Sequence, residues 1–247
     1  MDAQVTVICA VWCRQKDKED LLRGHMANLA RQTVAHEVIY VFDEGDICPD
    51  WLKGTKISVA SPLTIYQAWN VALSLVQTPF VMNLNLDDRL APNAIELLQN
   101  VLEDDADAVL AAGDWRICFN AADTDAVTFA YDIADEPCPP DWPPAPGVRA
   151  RYGSGDGQRN SFGPATLWKM SAHVGMPRFP YRFADGTLIR TIADAVWWKL
   201  LANTGQKLVR LPLIIGHYRS DPAAQAEFRN PSALEREKLA ATGVSLK

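Results

Sequence analysis

Four short apolar runs in the first half of the chain, Val5–Trp12, Glu37–Phe42, Ile57–Ala60 and Pro79–Leu84, constrain the fold more than any other feature. They are too short for buried helices and carry β-branched or aromatic residues, as strands do. Helical periodicity lies between them. Leu22, Met26 and Leu29 share one face after the first run, and Ile65, Trp69, Ala72, Leu73 and Val76 line another over Thr64–Val76. After the fourth run, Pro92 suits a first helical turn and Ile95, Leu98, Val101 and Leu102 form one apolar face. Near-continuous apolar strands are buried on both faces, which is the condition of a parallel sheet covered by helices. The expectation is an α/β fold with a mostly parallel central sheet flanked by helices, and with Val5–Trp12 as its first, central strand.

Acidic residues recur where these strands end. The second run closes in Asp43-Glu44-Gly45-Asp46, whose glycine permits a tight path, and the fourth in Asn85-Leu86-Asp87-Asp88-Arg89-Leu90-Ala91-Pro92. Ligands of open α/β sheets bind at the carboxyl ends of strands, and an Asp pair there can hold Mg²⁺ or Mn²⁺ through oxygen while the cation bridges phosphates. The competing use of Asp88 is a helix cap that satisfies free backbone N–H groups.

The βα alternation then stops. Ala108–Ala112 and Trp115–Phe119 read as two strands, with Ala126–Ala130 as a hairpin partner of the latter. Six prolines from Pro137 to Pro146 and the stretch Tyr152–Gly157 make a long irregular loop, and Pro164–Met170 is apolar without a clear period. A helix spans about Ile192 to Asn203, with Asp194 in its first turn and Gly205 at its C-cap. A last strand, Lys207–Ile215, runs into Gly216-His217-Tyr218-Arg219, and Ser232–Lys247 reads as a surface helix. Trp51, Trp142, Trp168, Trp197 and Trp198 can pack in the core or stack on a sugar.

At 247 residues the chain can bury one full core. Its net charge of −6, without a Lys/Arg-rich run, argues against a nucleic-acid partner. The five cysteines include no CxxC pair, so neither a disulfide framework nor a zinc site is indicated, and a reducing cytoplasm is the simpler home. The start Met1-Asp2-Ala3-Gln4 has no basic signal-peptide region and no apolar run reaches membrane-span length. Peripheral contact with the inner face of a membrane stays open.

The order and spacing of these motifs resemble the GT-A-fold glycosyltransferases, in particular the inverting enzymes of family 2. The resemblance covers Val5–Phe119 well and Thr191–Gly205 more loosely. It rests on Arg31-Gln32-Thr33, on Asp43-Glu44-Gly45-Asp46 in place of an Asp-Asp-Gly-Ser turn, and on Ala68-Trp69-Asn70 in place of Ala-Arg-Asn. Leu84-Asn85-Leu86-Asp87-Asp88 with Pro92 takes the place of Leu-Asp-Ser-Asp-Asp, and Ala193-Asp194 before Trp197–Leu201 that of the Glu-Asp helix start.

What the resemblance implies is a single GT-A (Rossmann-like, nucleotide-diphospho-sugar transferase) domain over 1–247. Residues 1–120 form the nucleotide-sugar-binding half, and 121–247 the acceptor-side half with a Pro/Gly-rich loop at 132–164. Asp43, with Glu44 beside it, would meet the base or ribose, and Thr64, Asn70 and Asp87 would share the nucleotide side. Asp88 would be the main ligand of Mn²⁺ or Mg²⁺, assisted by Asp87 and, as a secondary candidate, His217. Asp194 would be the general base. The implied reaction is inverting transfer from a nucleotide-sugar, a UDP-sugar by preference, to a hydroxyl of a saccharide or glycolipid acceptor in surface polysaccharide or lipopolysaccharide synthesis. Two alternatives are a nucleotide-sugar-binding protein without turnover and a nucleotidyltransferase. The second expects a Gly-rich basic loop after the first strand, and Trp12–Lys16 contains no glycine.

Overall fold

A computed structural model describes residues 2–118, 121–124, 162 and 165–219. Its core is one eight-stranded sheet. The chain begins with β1 (Val5–Val11), α1 (Lys18–Leu29), β2 (His36–Phe42), β3 (Thr55–Ser58), α2 (Ile65–Leu73) and β4 (Phe80–Asn83). Then follow β5 (Arg89–Leu90), α3 (Ala94–Asp104), β6 (Ala108–Cys118), the short α4 (Ala121–Thr124), β7 (Thr166–Lys169), a 3₁₀ turn (Met170–His173), α5 (Ala193–Asn203) and β8 (Lys207–Arg219). The strand order is β3-β2-β1-β4-β7-β6-β8-β5. β3, β2, β1 and β4 run parallel, as the apolar runs require, and β6 is parallel to β8. β7 lies antiparallel between β4 and β6, and β5 lies antiparallel to β8.

β1 is central, and six of its seven residues are buried. Its pairing with β2 in register (Val11 opposite Phe42) and with β4 (Ile8 opposite Asn83) brings three strand ends to one edge. One face of the sheet packs on α3 through Ile95, Leu98 and Leu102. The other packs on α2 and α5 through Tyr66, Trp69, Trp168, Phe179, Trp197 and Trp198. These tryptophans are core, so no sugar platform is formed by Trp168, Trp197 or Trp198.

Several boundaries differ from the sequence reading. Gly113-Asp114 does not separate two strands: β6 is continuous over Ala108–Cys118, and the irregularity is absorbed by register shifts against β8 around Asp114. A bare Cα is needed at Gly216, because a Cβ there would stand 2.3 Å from the Trp115 ring. Pro164–Met170 contributes an inserted antiparallel strand, Thr166–Lys169. The last strand does not stop at Ile215 but reaches Arg219, since β6 and β5 supply partners along its second half. His217 is therefore a buried strand residue and not an exposed strand end. The expected hairpin at Ala126–Ala130, nearly all of loop 132–164 and the tail helix Ser232–Lys247 lie outside the described residues. Among the described residues no helix is long and apolar enough to cross a membrane.

Candidate active site

The edge where β1, β2 and β4 end opens into a cavity of about 270 Å³. Its walls are Ala10 and Val11 at the end of β1, Trp12 and Gln15 beyond it, Asp43 after β2, Leu63, Thr64, Ile65 and Ala68 around the start of α2, and Asn85, Leu86 and Asp87 after β4. The start of α2 is well determined. Thr64 accepts a hydrogen bond from the Gln67 N–H (3.2 Å), and the Gln67 side chain accepts one from the Thr64 N–H (2.9 Å), a reciprocal capping box. Thr64 thus lines the cavity as the helix cap. No Lys or Arg lines it among the described residues.

Asp43 is buried at the cavity wall, where Oδ1 accepts the Cys13 backbone N–H at 2.7 Å and Oδ2 that of Leu63 at 3.4 Å. One carboxylate thereby joins the loop after β1 to the segment before α2. Glu44 is exposed, sits in the left-handed region (φ 52) and pairs with Arg14 at 3.0 Å, so it lies on the rim and does not line the cavity. Cys13, Asp43 and Glu44 bring one ligand atom each within 4.8 Å of one another. The two carboxylates push the partly exposed Cys13 thiol upward, after desolvation, which opposes the thiolate that a metal would need.

The turn after β4 divides its two acids. Asp87 lines the cavity, whereas Asp88 is fully buried. Asp88 Oδ1 accepts the Arg219 backbone N–H at 3.0 Å, and among the described residues Oδ2 has no hydrogen-bond partner. Burial first, and Asp87 second, push the Asp88 carboxyl well above the ordinary carboxylate range, while the Arg219 N–H, the Arg89 guanidinium and a hydrogen bond from the Asn85 side chain pull it back. Asn85 Oδ1, in the same turn, is likewise buried and unpaired among the described residues. Orphaned buried oxygens are costly unless something absent completes them, and oxygen ligands with acidic neighbours fit a hard divalent cation.

β8 brings His217 to this end of the sheet, opposite Arg89 in register. Its Nδ1 faces the Thr124 carbonyl at 3.0 Å and must donate to it, so the lone pair of a neutral ring is on Nε2, the form that ligates metals. Asp194 is half-buried in the first turn of α5, and its Oδ1 accepts the Tyr66 hydroxyl at 3.2 Å and the Ala195 N–H at 2.8 Å. Tyr66 lies on α2 between the cavity-lining Ile65 and Ala68, which links the cavity wall and α5 directly. Asn70 is placed elsewhere. Its amide donates to the Phe179 carbonyl (2.8 Å) and accepts the Phe179 N–H (3.0 Å), tying down the segment before α5. Trp69 is buried against Phe179, centroids 5.1 Å apart, and contributes nothing to the cavity.

The structure therefore gathers Asp43, Thr64 and Asp87 on one cavity, with Asp88 behind it, and leaves Glu44 on the rim and Asn70 in a structural clamp. The clamping partners Cys13 and Leu63, and the hydroxyl of Tyr66, had no sequence signal beyond nearness to a motif. Backbone N–H donors are invisible in residue identity.

No protein-family model matches the chain, and no curated protein matches it in sequence. Solved structures do match in shape. TarS of S. aureus, residues 1–349 in complex with UDP-GlcNAc, aligns with a TM-score of 0.62 at 11% identity, over 99% of this chain and 68% of that one. The mannosyltransferase PcManGT from Pyrobaculum calidifontis, in complex with GDP-Man and Mn²⁺, aligns with a TM-score of 0.63 at 14% identity, over 98% of this chain and 65% of that one. The chain thus spans about two thirds of the length of these neighbours. The architecture is the GT-A-like fold of glycosyltransferases.

Proposed function

We propose that this chain is a nucleotide-sugar-dependent glycosyltransferase of the inverting type, acting with Mn²⁺ or Mg²⁺ on a UDP-sugar. The observation that carries the reading is the buried, half-satisfied Asp88 beside a cavity lined by Asp43, Thr64 and Asp87. The fold neighbours solved with UDP-GlcNAc and with GDP-Man and Mn²⁺ support the same class of donor. Asp88 would hold the cation, with Asp87 and His217 as further ligands. When bound, the cation supplies the positive charge that meets the charge developing on the diphosphate leaving group. With no Lys or Arg lining the cavity among the described residues, donor affinity depends on that cation strongly.

Asp43 holds the two loops that flank the base or ribose, and Thr64 presents the N-terminal end of α2. Asp194, from the acceptor-side helix, takes the proton of the acceptor hydroxyl as it attacks the anomeric carbon. Tyr66 fixes one oxygen of that carboxylate. The acceptor is a saccharide or glycolipid hydroxyl, in keeping with surface polysaccharide or lipopolysaccharide assembly at the cytoplasmic face of a membrane.

The test combines binding and turnover. Asp194→Asn should retain metal-dependent donor binding by calorimetry and lose roughly 10²–10⁴-fold in transfer rate. Full transfer by this variant would reject Asp194 as the base. A chain that binds donor and shows no transfer or donor hydrolysis, wild type included, would be a nucleotide-sugar-binding protein without turnover.

A further inference from the structure

The residue after the acidic pair is a buried arginine. Arg89 is 4% exposed, and its Nη1 donates to the Leu86 carbonyl at 3.0 Å and to the Asp88 carbonyl at 2.8 Å. Those carbonyls lie on either side of Asp87, so one guanidinium nitrogen closes the curve that turns Asp87 to the cavity and Asp88 inward. The turn is also closed by the Asp88 N–H on the Asn85 carbonyl at 3.2 Å. Beneath it, the other edge of the guanidinium lies on α1. A Cβ at Gly24 would stand 2.3 Å from Arg89 Nη2 and 3.1 Å from Cζ.

Glycine inside a helix is unfavourable relative to alanine and calls for a packing reason. Gly24 lies in the interior of α1, and the guanidinium seated on it is such a reason. The same helix secures the next residue: Asn28 Oδ1 accepts the Leu90 N–H and Nδ2 donates to the Leu90 carbonyl, both at 2.8 Å. A planar, weakly hydrated guanidinium suits this flat, dry seat, where a lysine ammonium does not.

We propose that Arg89, seated on Gly24, is a positioning residue that sets the Asp87-Asp88 turn for the donor's cation. This rests on the reading of that turn as the cation site. The test is calorimetric titration of Mn²⁺ with UDP, and with GDP in a parallel arm, each repeated in EDTA. The proteins are wild type, Asp88→Ala, Arg89→Lys, Arg89→Met and Gly24→Ala, held at a temperature where circular dichroism shows each one folded.

The expected result is at least a tenfold rise in the Kd of the Mn²⁺-dependent binding for Arg89→Met and Gly24→Ala. A smaller rise is expected for Arg89→Lys, with binding in EDTA unchanged throughout. A merely structural role would not single out the metal-dependent component. Should Arg89→Met fail to fold, Arg89→Lys and Gly24→Ala carry the test together, the latter because it keeps the arginine, displaces only its seat and improves helix propensity. Wild-type Mn²⁺-dependent binding by folded Arg89→Met, or by folded Arg89→Lys and Gly24→Ala together where Arg89→Met does not fold, while Asp88→Ala has lost it, overturns the role of Arg89. Wild-type binding by Asp88→Ala overturns the cation site itself and the inference with it.

Discussion

Two buried carboxylates follow the two strands that flank β1, and they are treated differently. Asp43, after β2, gives both oxygens to backbone N–H groups, those of Cys13 and Leu63. Asp88, after β4, gives one oxygen to the Arg219 N–H and leaves the other without a hydrogen-bond partner among the described residues. A carboxylate whose oxygens are met by fixed donors is finished, and its work is to hold loops together. One with an oxygen unmet among the described residues is the one that the proposed cation site would use. Burial alone does not separate the two, since both are almost wholly inaccessible. The count of satisfied oxygens does.

The largest effect that would break this comparison comes from Asp88→Asn. An amide keeps an oxygen for the Arg219 N–H but offers a cation no charge, so metal-dependent nucleotide affinity should fall at least ~100-fold, on the scale of removing one partner of a charged pair. Calorimetry with and without EDTA measures it, and unchanged metal dependence would make Asp88 a structural acid like Asp43.

Asp43→Ala should act the other way round. It orphans two backbone N–H groups and releases the cavity wall, costing about 1–3 kcal/mol in stability and a similar amount in nucleotide affinity. The loss should be equal in the presence and absence of Mn²⁺. A loss confined to the metal-dependent component would place Asp43, with Cys13 and Glu44, at a cation.

How much of this was legible beforehand follows from the kind of contact involved. β1, β4 and the second half of β2 are buried strands of a parallel sheet, and such strands announce themselves as apolar runs; Asp43 and the Asp87-Asp88 pair stood out as the acids that follow two of them. Gly113-Asp114 looked like a turn because a bulge and a turn use the same residues, and only the β8 partner tells them apart. His217 looked exposed because its burial is created by pairing with β5 and β6, over a hundred residues away in the chain for each. Asn70 sat at a motif position that implied donor contact, yet its amide is spent on Phe179. Nothing at Arg89 itself marks it as buried. The one signal for its burial was a glycine, Gly24, in the middle of a helix.

A third, smaller effect concerns the link between the cavity wall and α5. Tyr66→Phe removes one hydrogen bond from Asp194 and leaves the ring in its aromatic cluster with Trp69 and Phe179. A hydrogen bond to a charged group is worth about 1.5–3 kcal/mol. Since the Ala195 N–H stays on the same oxygen, the expected outcome is roughly a tenfold fall in kcat, at the lower end of that range, with donor KM unchanged. Equal changes in both constants would mean that Tyr66 shapes the donor wall instead of the base.

The mildest test uses stability and pH to sharpen the contrast between the two acids. Asp88 is raised from its ordinary 3.8 by burial, so above that value the unfolded chain gives up this proton before the folded chain does. The folded state then binds more protons, and its stability falls as pH rises from about 3.8 through the raised pKa. Asp88→Asn has no such proton to lose. The metal-free variant should melt at or above the wild-type temperature near pH 8, by about 2–4 °C for each kcal/mol of charge burial relieved, and its advantage should shrink as pH falls toward 4. Asp43→Asn should melt below wild type instead, because an amide can accept at one of the two N–H groups and must point its NH₂ at the other. Scanning calorimetry of the three proteins in EDTA across that range distinguishes an acid that waits for a cation from one that is already paired. If Asp88→Asn is the less stable of the two variants at pH 8, the unpaired oxygen is not the liability that the cation site requires.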